Sequence, residues 1–246
     1  MKQQYDLLRI LYRVWFYSLT AIPLLILFPI LITFAVVPKG YRTVYWIARN
    51  LWAPVVLCGM GTPINYIDTH RLATDKPYMI CPNHQSMLDL FIILRCSTAP
   101  VLFVGKKELQ TIPFFGSIYK RVSVLVDRSN KESRANVYQL VKEKLHLGYS
   151  ICVFPEGTVP ERQVLLAPFK PGAFKMAIEH SLAIIPISIY NAKHRLPYEL
   201  NHGTPGKIAI KIHPTILTDE YSYEDYPKLQ ESCRSLLERD LSVVSA

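Results

Sequence analysis

The apolar and polar positions of this chain follow different patterns before and after residue 60. From Trp15 to Val37 there are 23 consecutive residues without a formal charge. About 20 such residues cross the hydrocarbon core of a bilayer as a helix, so this segment is long enough to span one. Pro23 and Pro29 fall inside it and favour a kink. Basic residues flank the segment at both ends and leave its orientation open; they are Arg9, Arg13, Lys39 and Arg42.

A second apolar pattern follows directly. Between Tyr41 and Met60 the aromatic and aliphatic side chains recur at roughly helical spacing, with Arg42 and Arg49 between them. This spacing predicts a shorter amphipathic helix that lies at the membrane interface. The two apolar helices together predict a membrane-associated hairpin over residues 1–60.

Residues 61–246 show a different hydrophobic pattern, in which short apolar runs alternate with segments of helical period. The apolar runs predict strands at Ile64–Ile67, Tyr78–Cys81, Val101–Val104, Val122–Val126, Ile151–Phe154, Ile184–Ile189 and Lys207–Ile212. The helical patterns predict helices at Ser86–Arg95, Lys131–Leu147, Gly172–His180 and Tyr226–Leu241. Alternation of this kind is typical of an α/β domain with a mostly parallel sheet flanked by helices.

Composition and charge narrow the possible partners. The chain has 246 residues, is 50% hydrophobic and has a mean hydropathy of +0.15, which excludes a disordered protein. Its net charge of +9 belongs to residues 1–170, which hold 20 Lys and Arg against 10 Asp and Glu. A basic surface beside an apolar segment indicates attraction to anionic lipid head groups or to an acidic substrate. The sequence carries no signature of a nucleic-acid-binding fold, so no nucleic-acid partner is expected.

The first stretch with side chains suited to catalysis follows the predicted strand Tyr78–Cys81 and includes Asn83, His84 and Asp89. Residues five apart in one helix point about 140° away from each other. For His84 and Asp89 to meet, His84 must therefore lie in the loop and Asp89 on the next helix. A buried carboxylate beside an imidazole fixes its tautomer and stabilises the imidazolium, as a general base requires. An ordinary loop histidine near a helix aspartate fits the same spacing.

Two further stretches follow predicted strands. The sequence Phe-Pro-Glu-Gly-Thr, residues 154–158, predicts a sharp turn with Glu156 at the sheet edge and Gly157 leaving room for a ligand. Lys106, Lys107 and Arg128 follow two other apolar runs. Arginine binds an anionic group through two parallel hydrogen bonds and lysine binds it as a point charge. A plain turn and a solvated basic face are the alternative interpretations.

The order of these motifs is more specific than any one of them. Asn-His-x4-Asp begins at Asn83, Pro-Phe-Phe-Gly ends at Gly116, Asp-Arg ends at Arg128, Phe-Pro-Glu-Gly-Thr ends at Thr158, Phe-Lys-Pro-Gly-Ala-Phe occupies residues 169–174, and Ile-Ile-Pro-Ile surrounds Pro186. This conjunction resembles the glycerolipid acyltransferase family, and is most similar to the 1-acyl-sn-glycerol-3-phosphate acyltransferases. The resemblance covers roughly residues 60–215, and the preceding helices resemble that family's membrane-binding hairpin.

The resemblance implies an O-acyltransferase bound to the cytoplasmic membrane with its active site facing the cytoplasm. It would move a fatty acyl group from a thioester of acyl-carrier protein or coenzyme A to the free hydroxyl of 1-acylglycerol-3-phosphate, forming phosphatidic acid. His84 is the implied base and Asp89 its orienting partner. The implied substrate-binding residues are Asn83, Lys106, Lys107, Gly116, Arg128, Glu156, Gly157 and Thr158, and Pro186 would border the acyl groove. The expected partners are the thioester donor, the lysophospholipid acceptor and membrane lipids, and no cofactor or metal is expected.

One position departs from the family pattern. An arginine that contacts the acceptor commonly follows Phe-Pro-Glu-Gly-Thr, whereas this chain has Val159, and the nearest basic residue is Arg162. The departure leaves the acceptor open to another lysolipid, such as a lyso-ornithine or lyso-glycine lipid. Two other classes of protein are alternatives: a non-catalytic lipid-binding protein, and a metallohydrolase that uses His84, Asp89 and Glu156. Both histidine and aspartate are intact, and no HExxH sequence or histidine cluster is present.

Overall fold

The computed structural model describes residues 2–69, 76–127, 131–200 and 202–245. Its strands are β1 (Ile64–Thr69), β2 (Met79–Pro82), β3 (Val101–Lys106), β4 (Ser123–Val126), β5 (Ser150–Cys152), β6 (Ile184–Tyr190) and β7 (Ile208–Ile212). They form one sheet in the order β1-β7-β6-β2-β5-β3-β4. Each strand overlaps one that the apolar runs predict, so the predicted α/β sheet is confirmed.

The sheet is mostly parallel. Strands β6, β2, β5, β3 and β4 run in one direction, because β2 pairs in parallel with β5 and β6, and β3 pairs in parallel with β4 and β5. Strands β1 and β7 are parallel to each other and run the opposite way, which makes the β6–β7 pairing antiparallel. Residues of β2 and β6 are buried on both faces, as helix-covered parallel strands require. The carboxyl ends of five strands therefore meet at one edge.

Helices precede the sheet and cover it. They are α1 (Lys2–Val36), α2 (Tyr41–Ile47), α3 (Ala53–Gly59), α4 (Asp89–Cys96), α5 (Phe115–Val122), α6 (Lys131–His146), α7 (Gly172–Glu179), α8 (Ala192–Arg195) and α9 (Tyr226–Ser245), with 3₁₀ turns at Lys107–Thr111 and Tyr223–Asp225. Of the helices described with eight or more residues, sequence patterning predicts all except α5. Apolar residues at 115, 118, 119 and 122 nevertheless give α5 a helical period.

The N-terminal helices pack on each other and also share a core with the sheet. The Trp15 indole donates to the Gly59 carbonyl at 2.9 Å, and the Trp52 indole donates to the Thr20 carbonyl at 3.0 Å. On α1, Phe16 is buried in the same apolar cluster as residues of β6 and β7, and its ring meets that of Phe91 on α4 edge-on with 6.2 Å between centroids. Residue 60 is thus a boundary along the sequence and not between separately packed units.

The predicted helix over Tyr41–Met60 is continuous but contains one π-helical turn at Ala48–Trp52 between α2 and α3. In this turn the Ala53 N–H donates to the Ala48 carbonyl, five residues back. The Arg95 guanidinium at the end of α4 donates to the Arg49 carbonyl within the turn at 3.0 Å. The π turn therefore ties the N-terminal helices to α4.

Gly116 illustrates how the segment before α5 is packed. Its N–H donates to the Ile112 carbonyl at 2.7 Å, and a methyl carbon added at Gly116 would overlap the Gln110 carbonyl oxygen. A side chain here would force the 3₁₀ turn and α5 apart. The close approach of two backbone segments is therefore sufficient to require glycine at this position.

We expect Gly116→Ala to lower the free energy of unfolding by about 1–3 kcal/mol, the usual cost of overpacking. The matched control is Gly172→Ala at the start of α7, where the added carbon would meet no atom within 4 Å. That control should be neutral or stabilising by up to about 1 kcal/mol. Chemical denaturation of both variants in the same detergent measures the difference, and equal stabilities would refute the packing role of Gly116.

Candidate active site

The candidate site lies at the carboxyl edge of the parallel strands, where open α/β sheets place their ligands. The loop after β2 carries His84, the loop after β5 carries Glu156, and the segment after β6 carries Lys193. Because β6, β2 and β5 are adjacent in the sheet, these three segments leave it side by side. The fold thus brings together residues that are far apart in sequence.

His84 and Asp89 meet as the sequence predicts. The His84 Nδ1 atom lies 2.8 Å from Asp89 Oδ2, with His84 in the loop and Asp89 at the first position of α4. The Asp89 side chain is fully buried, whereas the His84 side chain is 20% exposed. The His84 ring stacks on Phe154 at 4.0 Å between ring centroids. With Nδ1 engaged, Nε2 is the nitrogen left for a substrate.

The Asp89 carboxylate also shapes the loop that carries His84. Its Oδ2 atom accepts the N–H groups of Gln85 at 2.6 Å and Ser86 at 2.9 Å. These bonds keep residues 85 and 86 out of the helix, so α4 begins at Asp89 and not at Ser86 as the helical pattern predicts. A carboxylate in the first turn is further stabilised by the helix dipole.

Glu156 joins the loop after β5 to the His84 loop. Its Oε1 atom accepts the His84 N–H at 2.6 Å, and its Oε2 atom accepts the Ala167 N–H at 2.8 Å. Burial raises the pKa of Glu156, and the two N–H groups and nearby His84 and Lys193 oppose that rise. Both oxygens are therefore occupied by the backbone, and Glu156 holds the site together from within.

The Asn83 side chain joins the His84 loop to β6 through backbone hydrogen bonds, as Glu156 joins it to the loop after β5. Its amide Nδ2 donates to the Ile189 carbonyl at 3.0 Å, and its Oδ1 accepts the Ile189 N–H at 2.7 Å. The side chain is fully buried and uses both ends on this backbone. Asn83 thus fixes the direction in which the loop leaves the sheet, and a substrate contact by Asn83 stays a prediction.

Gly157 and Thr158 complete the turn after Glu156. Gly157 has a φ of +77°, a conformation that favours glycine, and its N–H donates to the Phe154 carbonyl at 3.0 Å. Thr158 is exposed and Val159 is half-buried. The turn therefore presents backbone and a hydroxyl, without a cation of its own, to the solvent side of the site.

The structure places the other predicted substrate-binding residues in different environments. Lys106 ends β3 and Lys107 begins the following 3₁₀ turn; both are exposed on the same sheet edge as His84. Arg128 lies outside the described residues. Gly116 is buried against the Gln110 backbone, so its position is explained by packing. A direct substrate contact by any of these residues stays a prediction.

The structure contains an apolar cavity whose lining does not include Pro186, and a role of Pro186 at the acyl groove stays a prediction. Pro186 lies within β6, paired with Cys81 of β2 in the middle of the sheet. A partly open cavity of about 100 Å³ is lined by α1, α2, α4, α5 and β3, with Leu24, Tyr45, Leu90, Phe103 and Ile118 among its walls. Leu90 follows Asp89 directly, so this cavity borders the helix that carries the site.

Lys193 is a site residue that the sequence did not indicate. Its side chain is largely buried, and its ammonium donates to the carbonyls of Glu161 at 3.0 Å and Val164 at 2.8 Å. Burial lowers the pKa of Lys193, and the carboxylates of Glu156, Glu199 and Asp89 oppose that change. Lys193 fastens the loop after the Glu156 turn to α8. The position of Lys193 just after a buried strand is the sequence feature that could have identified it as a site residue.

The arrangement can accept a proton from a bound substrate but offers no serine nucleophile. The Ser86 hydroxyl donates to the Leu196 carbonyl at 2.6 Å and accepts the Leu88 N–H, so it is engaged on both sides. The metallohydrolase interpretation needs Glu156 to turn toward His84 and Asp89 as a ligand, whereas its oxygens face backbone N–H groups. Within the residues that the structure covers, no cluster of three or more His, Cys, Asp or Glu is arranged to hold a metal ion.

The fold and site define an α/β protein with a histidine–aspartate pair at the carboxyl edge of its parallel strands. A family model described as Acyltransferase matches residues 63–190, which include every motif from Asn83 to Pro186. A 1-acyl-sn-glycerol-3-phosphate acyltransferase of Haemophilus influenzae is 33% identical over 179 residues, covering 70% of this chain and 73% of that protein. The chain belongs to the acyltransferase family.

Other relatives and one solved structure agree with this assignment. The 1-acyl-sn-glycerol-3-phosphate acyltransferases of Salmonella typhimurium and Escherichia coli are 33% and 32% identical over 162 residues. The match spans 65% of this chain and 65% of the length of each of these two relatives. The crystal structure of the 1-acyl-sn-glycerophosphate acyltransferase PlsC from Thermotoga maritima superposes with a TM-score of 0.80 over 100% of this chain and 98% of that one. At 22% identity this similarity shows a common fold.

The two backbone hydrogen bonds of Glu156 predict a loss of stability when its charge and one acceptor are removed. In Glu156→Gln, the amide group would face one N–H with another N–H, and we expect the free energy of unfolding to fall by about 1–3 kcal/mol. Glu161→Gln in the same loop is the control, because the Glu161 side chain is exposed. Chemical denaturation that shows no difference between the two variants would contradict the holding role of Glu156.

Proposed function

We propose that this chain is a membrane-associated enzyme that transfers a fatty acyl group from a thioester to the free hydroxyl of 1-acylglycerol-3-phosphate and forms phosphatidic acid. The observation that carries the proposal is the 2.8 Å contact between His84 Nδ1 and the buried Asp89 carboxylate, at the carboxyl edge of an acyltransferase-family sheet. The names of several relatives support the same acceptor.

In the proposed reaction His84 acts as the general base. Its Nε2 takes the proton of the acceptor hydroxyl while the hydroxyl oxygen attacks the thioester carbonyl carbon. The Asp89 carboxylate stabilises the imidazolium that results. When the carbon–sulfur bond breaks, the imidazolium returns the proton to the leaving thiolate. The ester and the free thiol are the products, and no covalent enzyme intermediate is needed.

The acceptor and donor bind on opposite sides of His84 in this proposal. Glu156, Gly157 and Thr158 border the acceptor, and Lys106 and Lys107 add positive charge along the same edge. The donor is a thioester of acyl-carrier protein or coenzyme A, and its acyl chain enters the apolar cavity beside α4. A dry cavity of about 150 Å³ holds one benzene ring, so the walls of this smaller cavity must move to admit a long chain.

Membrane association follows from the surface of α1. Within the described chain, one helix, Asp6–Val36, is long and apolar enough to cross a membrane, and only 11% of its most apolar window is buried. Phe16, Leu24 and Leu31 face the protein, while Ile22, Ile26 and other large apolar residues are exposed. An apolar surface of this extent is stable in a lipid environment and not in water. We propose that α1 lies in the cytoplasmic membrane, with its protein-facing stripe packed on α3 and α5.

The first test is turnover with lysophosphatidic acid and an acyl thioester. We expect His84→Ala and Asp89→Asn each to reduce kcat by at least about 100-fold, the usual contribution of a positioned acid–base pair. The asparagine amide in the second variant keeps an oxygen for the three N–H donors and removes the negative charge. Circular dichroism checks that both variants remain folded, and full activity in either one would refute the mechanism.

The acceptor is tested with the wild-type protein. Lysophosphatidic acid and a lyso-ornithine lipid are compared with the same donor, first an acyl-carrier-protein thioester and then a coenzyme A thioester. Turnover of lysophosphatidic acid with at least tenfold higher kcat/KM supports the proposed acceptor. Turnover confined to the lyso-ornithine lipid shows a different acceptor on the same site, and turnover of neither indicates a non-catalytic protein.

The membrane proposal predicts that a charge on the exposed face of α1 weakens binding to lipid. Ile26 is 72% exposed there, and we expect Ile26→Lys to reduce flotation with phosphatidylglycerol–phosphatidylethanolamine vesicles by about tenfold, since burying one such side chain contributes roughly 1.5–3 kcal/mol. Val243→Lys on α9 is the matched control, because Val243 is 73% exposed but lies far from α1 in the sequence and outside residues 1–60. Equal flotation of both variants would contradict the role of α1.

A further inference from the structure

Lys170 lies across the turn that supports the His84 loop. Its backbone N–H donates to the Pro155 carbonyl at 2.8 Å. A Cβ built on Gly157 would stand 2.9 Å from Lys170 Cδ and Cε and 3.0 Å from its Nζ. The lysine side chain therefore runs directly over the Gly157 backbone, in space that is open only because residue 157 has no side chain. Lys170 itself is exposed to solvent.

The Lys170 ammonium is available to a ligand. Among the described residues, no carboxylate lies within ion-pair distance of its Nζ atom. Lys193, the buried cation of this edge, already donates to the Glu161 and Val164 carbonyls. A positive charge held over a glycine turn, with no carboxylate of the described residues within ion-pair distance, favours the binding of an anion.

Arg162 is the basic residue nearest in sequence to Val159, and its charge acts on His194 of α8. Burial lowers the pKa of His194, and the charge of Arg162 lowers it further. Arg162 is thus close to α8, which contains His194. The cation that the structure places over the Glu156–Thr158 turn is Lys170, eleven residues after Val159 in the sequence.

We infer that the Lys170 ammonium binds the phosphate of the acceptor and makes this site select an anionic lysolipid, although Val159 leaves the turn itself without a cation. This inference rests on the proposed function. In 1-acylglycerol-3-phosphate, four bonds separate the attacking oxygen from phosphorus, so the phosphate lies within roughly 5 Å of the oxygen at His84. The turn under Lys170 touches the His84 loop, since Glu156 accepts the His84 N–H at 2.6 Å.

Lys106 is farther from the His84 loop along the sheet edge. Strands are about 4.8 Å apart, and β5 lies between β2 and β3, so the end of β3 is roughly 10 Å from the end of β2. Helix α7 begins two residues after Lys170, with no acidic residue in its first turn, so its dipole adds to the positive potential around the lysine. The Glu156–Thr158 turn under Lys170 therefore lies closer to the His84 loop than the end of β3 does.

The test compares acceptors with and without a phosphate in wild-type, Lys170→Met and Lys170→Arg protein, full-length and in detergent micelles. For lysophosphatidic acid we expect Lys170→Met to raise KM about tenfold with little change in kcat, as the loss of one charge-assisted hydrogen bond predicts. Turnover of the uncharged 1-acylglycerol should be unchanged, and Lys170→Arg should restore the lysophosphatidic acid KM. Lys142→Met, an exposed lysine on α6, is the matched control and should behave as wild type.

Equilibrium binding of lysophosphatidic acid to the same proteins gives an answer that does not depend on turnover. About tenfold weaker binding to Lys170→Met than to wild type supports the inference, even if no acyl transfer is observed. The absence of acyl transfer would refute the proposed function and not this inference. Unchanged binding and KM in Lys170→Met overturn the inference while leaving the proposed function in place. An equal loss for both acceptors also overturns it, because a general loosening of the turn would then explain the effect.

Discussion

The buried carboxylate of Asp89 is the constraint on which the site depends. Three donors converge on its Oδ2 atom: the His84 ring and the N–H groups of Gln85 and Ser86. A buried carboxylate is costly unless it is hydrogen-bonded, so the loop can leave β2 only along a path that brings these donors to it. The same contacts fix the start of α4 and the orientation of the imidazole. The orientation of the His84 ring and the boundary of the helix thus have one cause.

Neighbouring elements hold the same loop and helix from several sides. From β5, the Glu156 carboxylate accepts the His84 N–H, and from β6, the Ile189 backbone binds both ends of the Asn83 amide. Both polar side chains are buried and used by backbone groups. A site built in this way keeps its geometry without a bound ligand, as preorganised catalysis requires. The edge-on contact between Phe16 and Phe91 ties the long apolar helix α1 to α4.

The sequence predicted much of this arrangement, and its errors have identifiable causes. It predicted the seven strands, the pairing of His84 with Asp89 and the long apolar helix at the N-terminus, because strand burial, helical period and loop spacing are local properties. It placed the start of α4 at Ser86, because helical pattern does not show that a side chain will capture the preceding N–H groups. It did not predict α5, because the helical period of its apolar residues extends over only eight residues and begins within the Pro-Phe-Phe-Gly motif.

The residues at the sheet edge show the same difference between what the sequence predicts and what the fold sets. The sequence shows which residue types stand at the ends of the strands, and hence that a histidine, two carboxylates and several lysines share one edge. What each of these side chains does depends on the tertiary structure. Asn83 and Glu156 are occupied by backbone groups, Lys193 fastens a loop, and Lys170 lies over Gly157 with its ammonium free of any described acid. The reason is physical: a polar side chain acts on whatever lies within about 3 Å of it, and neighbours at that distance come from segments far apart in the chain.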